Sequence, residues 1–301
     1  MKTLFDTNIF RDVQRGTITK EQVLVARKKV QGNGYVSPLS LVELGSHVCE
    51  EEKGEYETYR RAFEAITELC DHALADPEMF MRKEVFNHPT GGHGLSPEDT
   101  MRVAALIAQT KQYERLAAGQ VTLWGDTPAR VLLNTGYLKQ FRDKYETRFL
   151  ADMEDHVFSN LLPNHKAERA AGRMPHLSDP ALLTKFKAFL NSPQFEDLFF
   201  LITATRVNVL LLGTKFDSEW DLAAKSKLAD YFAAYRWILS KIAEAGYNME
   251  KHKNDYNDVH FLVYLADPCL TFVTHDGGIS QKVGDAPSKA RILSFSDWIS
   301  G

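Results

Sequence analysis

Four acidic residues are the part of this sequence best suited to chemistry: Asp6, Glu43, Asp258 and Asp276. Each lies at the end of a predicted strand or in a predicted helix beside one. The carboxyl ends of parallel strands meet at one edge of a sheet, so all four carboxylates could face one cavity there. Carboxylates packed that closely repel one another and cannot all ionise without a counter-charge. Such oxygen ligands suit Mg²⁺ or Mn²⁺, and two ions about 4 Å apart can hydrolyse a phosphodiester.

The N-terminal segment carries the elements that would position the first two acids. A strand pattern at Lys2–Phe5 leads into a turn and then into amphipathic sequence. Thr19 and Gln22 have the spacing of a capping box, which predicts the start of a helix. A short strand pattern at Tyr35–Ser37 follows, and a further helix is predicted from Pro38. This βααβα order predicts a parallel sheet flanked by helices, and therefore an α/β fold.

The C-terminal segment resumes the same alternation. Asn254-Asp255 could cap a helix that runs through Val259 to Leu265 and ends at Pro268, and a predicted strand at Leu270–Thr274 ends shortly before Asp276. A last strand is predicted at Arg291–Ser294, with a short helix after it. Asp255 lies one turn before Asp258, so it is either an accessory acid or a helix cap.

The middle of the chain has a mainly helical pattern, because apolar residues recur there at helical spacing. We therefore predict a discontinuous core of residues 1–49 and 250–301 and a mainly helical insertion of residues 50–249. Val121–Trp124 could add one strand. The predicted helices of the insertion are Glu55–Leu74, Ser96–Ala118, Pro128–Leu150, Pro180–Leu190 and Glu219–Ala245.

The composition is that of a globular protein and argues against a disulfide-rich or membrane-spanning one. The 301 residues are 44% hydrophobic and 25% charged, which is typical of a globular chain. The three cysteines, Cys49, Cys70 and Cys269, are too few and too scattered for a disulfide framework. No apolar run approaches the ~20 residues of a membrane span, and no signal peptide precedes Asp6. We expect a cytoplasmic protein with no membrane partner.

Charge is distributed unevenly between the two predicted parts. The ends carry 12 basic and 11 acidic side chains, whereas the middle carries 24 basic and 29 acidic ones. With an overall charge of −4, the chain has no general attraction for nucleic acid. Contact with nucleic acid would need metal ions or a local basic strip, for which Arg60-Arg61 and Lys166–Arg173 are the candidates.

Four short motifs around the acids resemble those of the PIN-domain nucleases. The first is the opening strand with its acid, and the second places a glutamate early in a helix. The third and fourth are separated by 18 residues, counted from Asp258 to Asp276, as we expect for this family. The motifs are Leu4–Phe10, Tyr35–Leu44, Asp258–Ala266 and Phe272–Asp276.

The resemblance implies a specific fold, reaction and set of site residues. It implies a PIN-like parallel sheet and a Mg²⁺- or Mn²⁺-dependent nuclease, with an endoribonuclease favoured and RNA preferred to DNA as substrate. By the same resemblance, Asp6, Glu43, Asp258 and Asp276 are the metal-binding and catalytic acids. Three further positions match family residues that support the site through hydroxyl or amide contacts, namely Thr7, Asn8 and Thr274.

The chain departs from the family pattern between the second and third motifs. Small PIN proteins, such as the toxins of toxin–antitoxin pairs, join these motifs with a few dozen residues, whereas Glu43 and Asp258 are 215 residues apart here. The resemblance covers about 100 residues at the two ends. We expect the insertion to provide substrate selection, a lid, or a surface for a homodimer or a protein partner. A role as a toxin-like or defence effector would follow only from the family.

Two other classes of function stay open. A non-catalytic PIN-like protein could use the insertion to bind a partner, although an acidic cluster without metal would cost stability. A haloacid-dehalogenase-like phosphatase also has an aspartate after its first strand, but that family needs a second acid where this chain has Asn8. His260 and His275 flank the acids. Either could contact a substrate phosphate, and helix packing explains His260 equally well.

Overall fold

A parallel β-sheet forms the centre of the molecule. The computed structural model describes residues 1–48, 53–88, 96–111, 165–171, 176–209, 218–245 and 255–301. Within these residues the sheet has five strands in the order β3-β2-β1-β4-β5, and every pair is parallel. The α/β class predicted from the sequence is therefore confirmed. The strands are β1 Lys2–Phe5, β2 Gly34–Val36, β3 His72–Ala73, β4 Leu270–Val273 and β5 Ile292–Leu293.

Helices surround this sheet. A π-helical turn at Met81–Val85 and 3₁₀ turns at Val263–Ala266 and Pro287–Arg291 connect some of them. In chain order the described α-helices are α1 Thr7–Arg15, α2 Lys20–Val30, α3 Pro38–Val48, α4 Lys53–Leu69, α5 Pro77–Phe80, α6 Pro97–Gln109, α7 His165–Ala170, α8 Pro180–Leu190, α9 Pro193–Arg206, α10 Glu219–Lys227, α11 Ala229–Ala245, α12 Asp255–Leu262, α13 Gly277–Val283 and α14 Phe295–Ser300.

Alternate side chains of the strands fill two separate cores. Leu4 and its β4 neighbour Phe272 belong to one buried cluster, together with residues of α8 to α13. Phe5 and its neighbour Val273 belong to the other, together with residues of α1 to α4, α6 and α14. Successive side chains of a strand point to opposite faces, so both faces of the sheet are covered by helices.

The strand order places a topological switch point beside β1. The chain runs from β1 to β2 on one side of the sheet and returns to β4 on the other side. In open parallel sheets, ligands bind at such a point, in the crevice outside the carboxyl ends of the strands. The carboxyl ends of β1 and β4 are at Phe5 and Val273, which pair with each other.

Most helices and strands at the two ends of the chain lie where they were predicted. In the middle of the chain the observed helix bounds differ from the predicted ones. The capping box of Thr19 and Gln22 is present, with both reciprocal hydrogen bonds. The helix predicted to reach Leu74 instead ends at Leu69, and β3 follows it, because the backbone N–H of Asp71 donates to the carbonyl of Gly34 and leads the chain into the sheet.

Two other predicted helices of the middle also have different bounds. The helix predicted from Ser96 ends at Gln109, and that of Glu219–Ala245 is divided at Leu228 into α10 and α11. Pro128–Leu150 and the strand suggested at Val121–Trp124 lie outside the described residues.

The predicted insertion contributes directly to the layers around the sheet. It supplies strand β3, and its helices α4 and α6 bury apolar side chains in the same cluster as Phe5. The division into a core of 1–49 and 250–301 and an insertion of 50–249 stays a prediction. Among the described helices, none combines the length and apolar character that crossing a membrane would require.

Gly34 is required where α4 passes the start of β2. A β-carbon built on Gly34 would lie 2.0 Å from the carbonyl oxygen of Leu69, far inside van der Waals contact. We expect Gly34→Ala to lower the free energy of unfolding by about 2 kcal/mol or more, because backbone must move to admit the methyl group. Urea denaturation measures this change. Gly277→Ala is the control, since nothing lies within 4 Å of a β-carbon there, and equal stability of the two variants would contradict the prediction.

Candidate functional site

Asp6 lies at the carboxyl end of β1 and is buried, with 5% of its surface exposed. One carboxylate oxygen, Oδ1, accepts a hydrogen bond of 2.7 Å from the backbone N–H of Thr7 and so caps helix α1. The other, Oδ2, accepts a hydrogen bond of 2.7 Å from the hydroxyl of Thr274, just beyond β4. The two hydrogen bonds hold the carboxylate at the switch point between β1 and β4.

Thr274 also fixes the position of Asp276. Its hydroxyl oxygen accepts a hydrogen bond of 2.9 Å from the backbone N–H of Asp276. Asp276 in turn caps α13, with Oδ1 accepting from the backbone N–H of Gly278 at 2.7 Å. Asp6 and Asp276 are therefore both helix N-caps and are linked through one threonine hydroxyl.

The other two predicted site acids come from helices and are paired with cations. Glu43 in α3 forms an ion pair of 3.0 Å with Arg11 of α1. Asp258 in α12 accepts a hydrogen bond of 2.5 Å from the ammonium of Lys282 in α13. The same ammonium lies 2.8 Å from a carboxylate oxygen of Asp255.

Electrostatic interactions join the four predicted acids, which we call the acidic cluster: Asp6, Glu43, Asp258 and Asp276. Burial raises the pKa of Asp6 to about 8; the Thr274 hydrogen bond lowers it, and the charges of Asp258 and Glu43 raise it. Burial also raises the pKa of Asp258 to about 7, against the opposing effect of Lys282 and with the charges of Asp276 and Asp255 adding to the rise. Each acid of the cluster therefore interacts electrostatically with at least one other.

The predicted supporting residues contact this region. The Thr7 hydroxyl donates to the Ser40 hydroxyl at 3.0 Å, which links α1 to α3. The side-chain amide of Asn8 donates to the Thr274 hydroxyl at 3.5 Å, and its carbonyl accepts from the backbone N–H of His275 at 3.2 Å. Asp255 is the first residue of α12 and is buried beside Lys282. All four lie on the elements that hold the acidic cluster.

The chemistry of these donors suits a hard divalent cation. Carboxylate oxygens are the ligands that Mg²⁺ and Mn²⁺ prefer, and a dication would offset both the burial of the Asp6 charge and the repulsion from its acidic neighbours, which together raise its pKa. None of the ion pairs among the described residues includes Asp6. Among those same residues, however, no three side chains of the His, Cys, Asp or Glu types are arranged so that they could already hold a metal ion. Binding would require the side chains to adjust, and the role of these acids as ligands stays a prediction.

Several residues near the cluster were not singled out from the sequence. Lys282 and Arg11 are the cationic partners, and Asp12 accepts a hydrogen bond of 2.6 Å from the ring nitrogen Nδ1 of His275. A signal for Lys282 was present, because it shares the buried face of α13 with Ile279 and Val283. A lysine on an apolar helix face needs a partner, and the nearest acidic motif is on the preceding helix.

Two other polar residues considered from the sequence are buried in the structure. His260 is buried and packs edge-on against Tyr231, as helix packing predicts. Arg60 is also buried and pairs with Glu57 and Glu64, so it does not form an exposed basic strip with Arg61.

Comparison with known proteins adds no relative. No family model matches the chain, and no curated protein or solved structure is significantly similar to it.

Protonation of Asp6 makes the stability of the metal-free protein depend on pH. In the unfolded chain this carboxyl ionises near 3.8, whereas in the folded protein its pKa is about 8. The folded state therefore binds the extra proton, and its stability falls as pH rises from about 4 through 8. We expect Asp6→Asn to be more stable than the wild type at pH 8 by about 1–3 kcal/mol, and to lose much of this advantage by pH 4.

Urea denaturation in EDTA at pH 4 and pH 8 measures this difference. Asn has the shape of Asp, and its side-chain oxygen can still accept from Thr7. Asp179→Asn is the matched control, because Asp179 is also an N-cap but is exposed and not part of the acidic cluster. An Asp6→Asn variant with the pH slope of the wild type would show that Asp6 is ionised in the folded protein.

Proposed function

We propose that this protein is a PIN-like nuclease that uses Mg²⁺ or Mn²⁺ to hydrolyse phosphodiester bonds, and that it acts as an endoribonuclease. The observation that carries the proposal is the position of Asp6. It is a buried carboxyl at the switch point of a parallel sheet, its pKa is raised to about 8 by burial and by neighbouring acids, and it has no cationic partner among the described ion pairs. Such a group is typical of a site that receives its positive charge from a ligand.

The residues of the chain would have separate roles in this reaction. Asp6, Glu43, Asp258 and Asp276 would hold the cation. Thr274 and the backbone N–H of Thr7 orient the carboxylate of Asp6 through the two hydrogen bonds of 2.7 Å. When bound, the divalent cation supplies the charge that activates water and stabilises the negative charge building on the phosphate. No serine or cysteine nucleophile is needed.

The choice of RNA as substrate rests on the resemblance of the four motifs to PIN-domain nucleases. The overall charge of −4 agrees with recognition of a phosphate through metal ions rather than through a broad basic surface. A homodimer or protein partner bound through residues 50–249, a cytoplasmic location and a toxin-like role belong to the same proposal.

A non-catalytic interaction protein is the second candidate, and the two cations at the cluster favour it. Arg11 neutralises Glu43 and Lys282 neutralises Asp258, so part of the acidic cluster is already compensated without metal. A PIN-like protein that only binds a partner could keep its acids in this state. In that case Asp6 would remain protonated near neutral pH, and no cation would be required.

Cleavage assays with labelled RNA and single-stranded DNA distinguish the two candidates. We expect the purified protein to cut RNA with Mn²⁺ or Mg²⁺ and to be inactive in EDTA. Asp6→Asn should lower the cleavage rate by more than about 100-fold. Substituting a residue that only hydrogen-bonds to a metal ligand already lowers metal affinity or activity by about 10–100-fold. Asp179→Asn should cleave at the wild-type rate. An Asp6→Asn variant with full activity would contradict the assignment of the site.

Thermal unfolding with Mn²⁺ provides a readout that does not need the right substrate. A ligand that binds only the folded state raises the melting temperature, and the rise grows with the logarithm of its concentration above the dissociation constant. We expect Mn²⁺ to raise the melting temperature of the wild type and of Asp179→Asn, and to have little effect on Asp6→Asn. No rise in any variant, together with no cleavage, would favour the interaction protein.

A further inference from the structure

Lys282 is a buried cation at the centre of an acidic region. Its side chain is 4% exposed, and it lies on the face of α13 that also buries Ile279 and Val283. Burying a lysine without partners is costly, so lysines in such positions are almost always paired. Here the partners are Asp255 and Asp258, both from the neighbouring helix α12, at 2.8 Å and 2.5 Å from Nζ.

The ammonium contacts one of the two oxygens through which Asp258 could bind a cation. It donates to Oδ2 of Asp258, and Asp258 is electrostatically coupled to both Asp6 and Asp276. An ammonium and a divalent cation cannot both approach the same carboxylate oxygen closely, because like charges repel strongly in a buried environment. Lys282 therefore already supplies a positive charge at the side of the acidic cluster that α12 forms.

We infer that Lys282 is a positioning residue that holds Asp258 in the metal-free protein and competes with a divalent cation for its carboxylate. This inference rests on the proposed metal-dependent function. When a cation binds Asp258, Lys282 would give up its hydrogen bond to that residue. Its ion pair with Asp255 would keep the ammonium beside the acidic cluster. The exchange thus requires a change in one side-chain contact and no unfolding of α13. Lys282 weakens metal binding and stabilises the protein without metal.

The test compares Mn²⁺ binding by the wild type and by Lys282→Met, which has nearly the same length and no charge. In EDTA we expect Lys282→Met to melt several degrees below the wild type, because the ion pairs of Lys282 with Asp255 and Asp258 are lost. In a titration with Mn²⁺ alone, we expect calorimetry to give half-saturation of Lys282→Met at a roughly tenfold lower concentration, and its melting temperature to begin to rise at a correspondingly lower concentration. A purely structural lysine would lower the melting temperature without tightening Mn²⁺ binding.

Two further variants make the comparison specific. Lys225→Met is the matched control, because Lys225 is also a largely buried lysine paired with an aspartate, Asp197, away from the acidic cluster. It should lose stability but keep the wild-type Mn²⁺ requirement. Lys282→Arg keeps the charge and the donors, and we expect it to need as much Mn²⁺ as the wild type or more. If Lys282→Met does not fold, Lys282→Arg still tests the inference, because tighter Mn²⁺ binding by that variant would contradict it.

The outcomes separate this inference from the proposed function. A wild type that responds to Mn²⁺, with Lys282→Met requiring the same or a higher concentration, overturns the role of Lys282 and leaves the metal site standing. Tighter binding by Lys282→Arg also overturns it. If neither the wild type nor Lys282→Met responds to Mn²⁺, both the metal site and the competition are wrong.

Discussion

Desolvation of one carboxyl group, that of Asp6, is the constraint on which the rest of this site depends. The parallel sheet brings the ends of β1 and β4 together, and Asp6 lies where these ends meet. Its two hydrogen bonds do not offset the loss of water, because the pKa remains near 8. Because the folded protein binds this proton more tightly than the unfolded chain does, ionisation of the group lowers the stability of the metal-free protein as pH rises from about 4 to 8. Retention of the acid is thus understandable if it has a task other than stability.

The surrounding residues compensate the negative charge of some acids in the cluster but not of others. Glu43 and Asp258 each have a cation within hydrogen-bonding distance, whereas Asp6 is held by a hydroxyl and a backbone N–H. The positive charges lie on α1 and α13, the helices that follow β1 and β4. Both helices begin at a site acid, so the same turn that places a carboxylate also sets the register of the cation that compensates its neighbour.

Local patterns in the sequence predicted most of the elements that position the cluster. The Thr19–Gln22 capping box, the strands at both ends and their βααβα order are determined within a few residues of chain, so they can be recognised without the tertiary structure. β3 was missed because a two-residue strand has no periodicity and depends on pairing with Tyr35 and Val36. The ion pair of Lys282 was missed for a related reason, since Lys282 and Asp258 are 24 residues apart in sequence and only the tertiary structure brings them together.

The internal cations change what the acidic cluster implies about function. Considered from the sequence alone, four clustered acids without metal would repel, and their presence would argue strongly for a metal-dependent enzyme. In the folded protein Arg11 and Lys282 already compensate two of them, so the cluster as a whole is compatible with a protein that binds no metal. Asp6 is different, because no described ion pair reaches it and its neighbours raise its pKa further. This single buried carboxyl, rather than the number of acids around it, is therefore the feature that favours a bound cation.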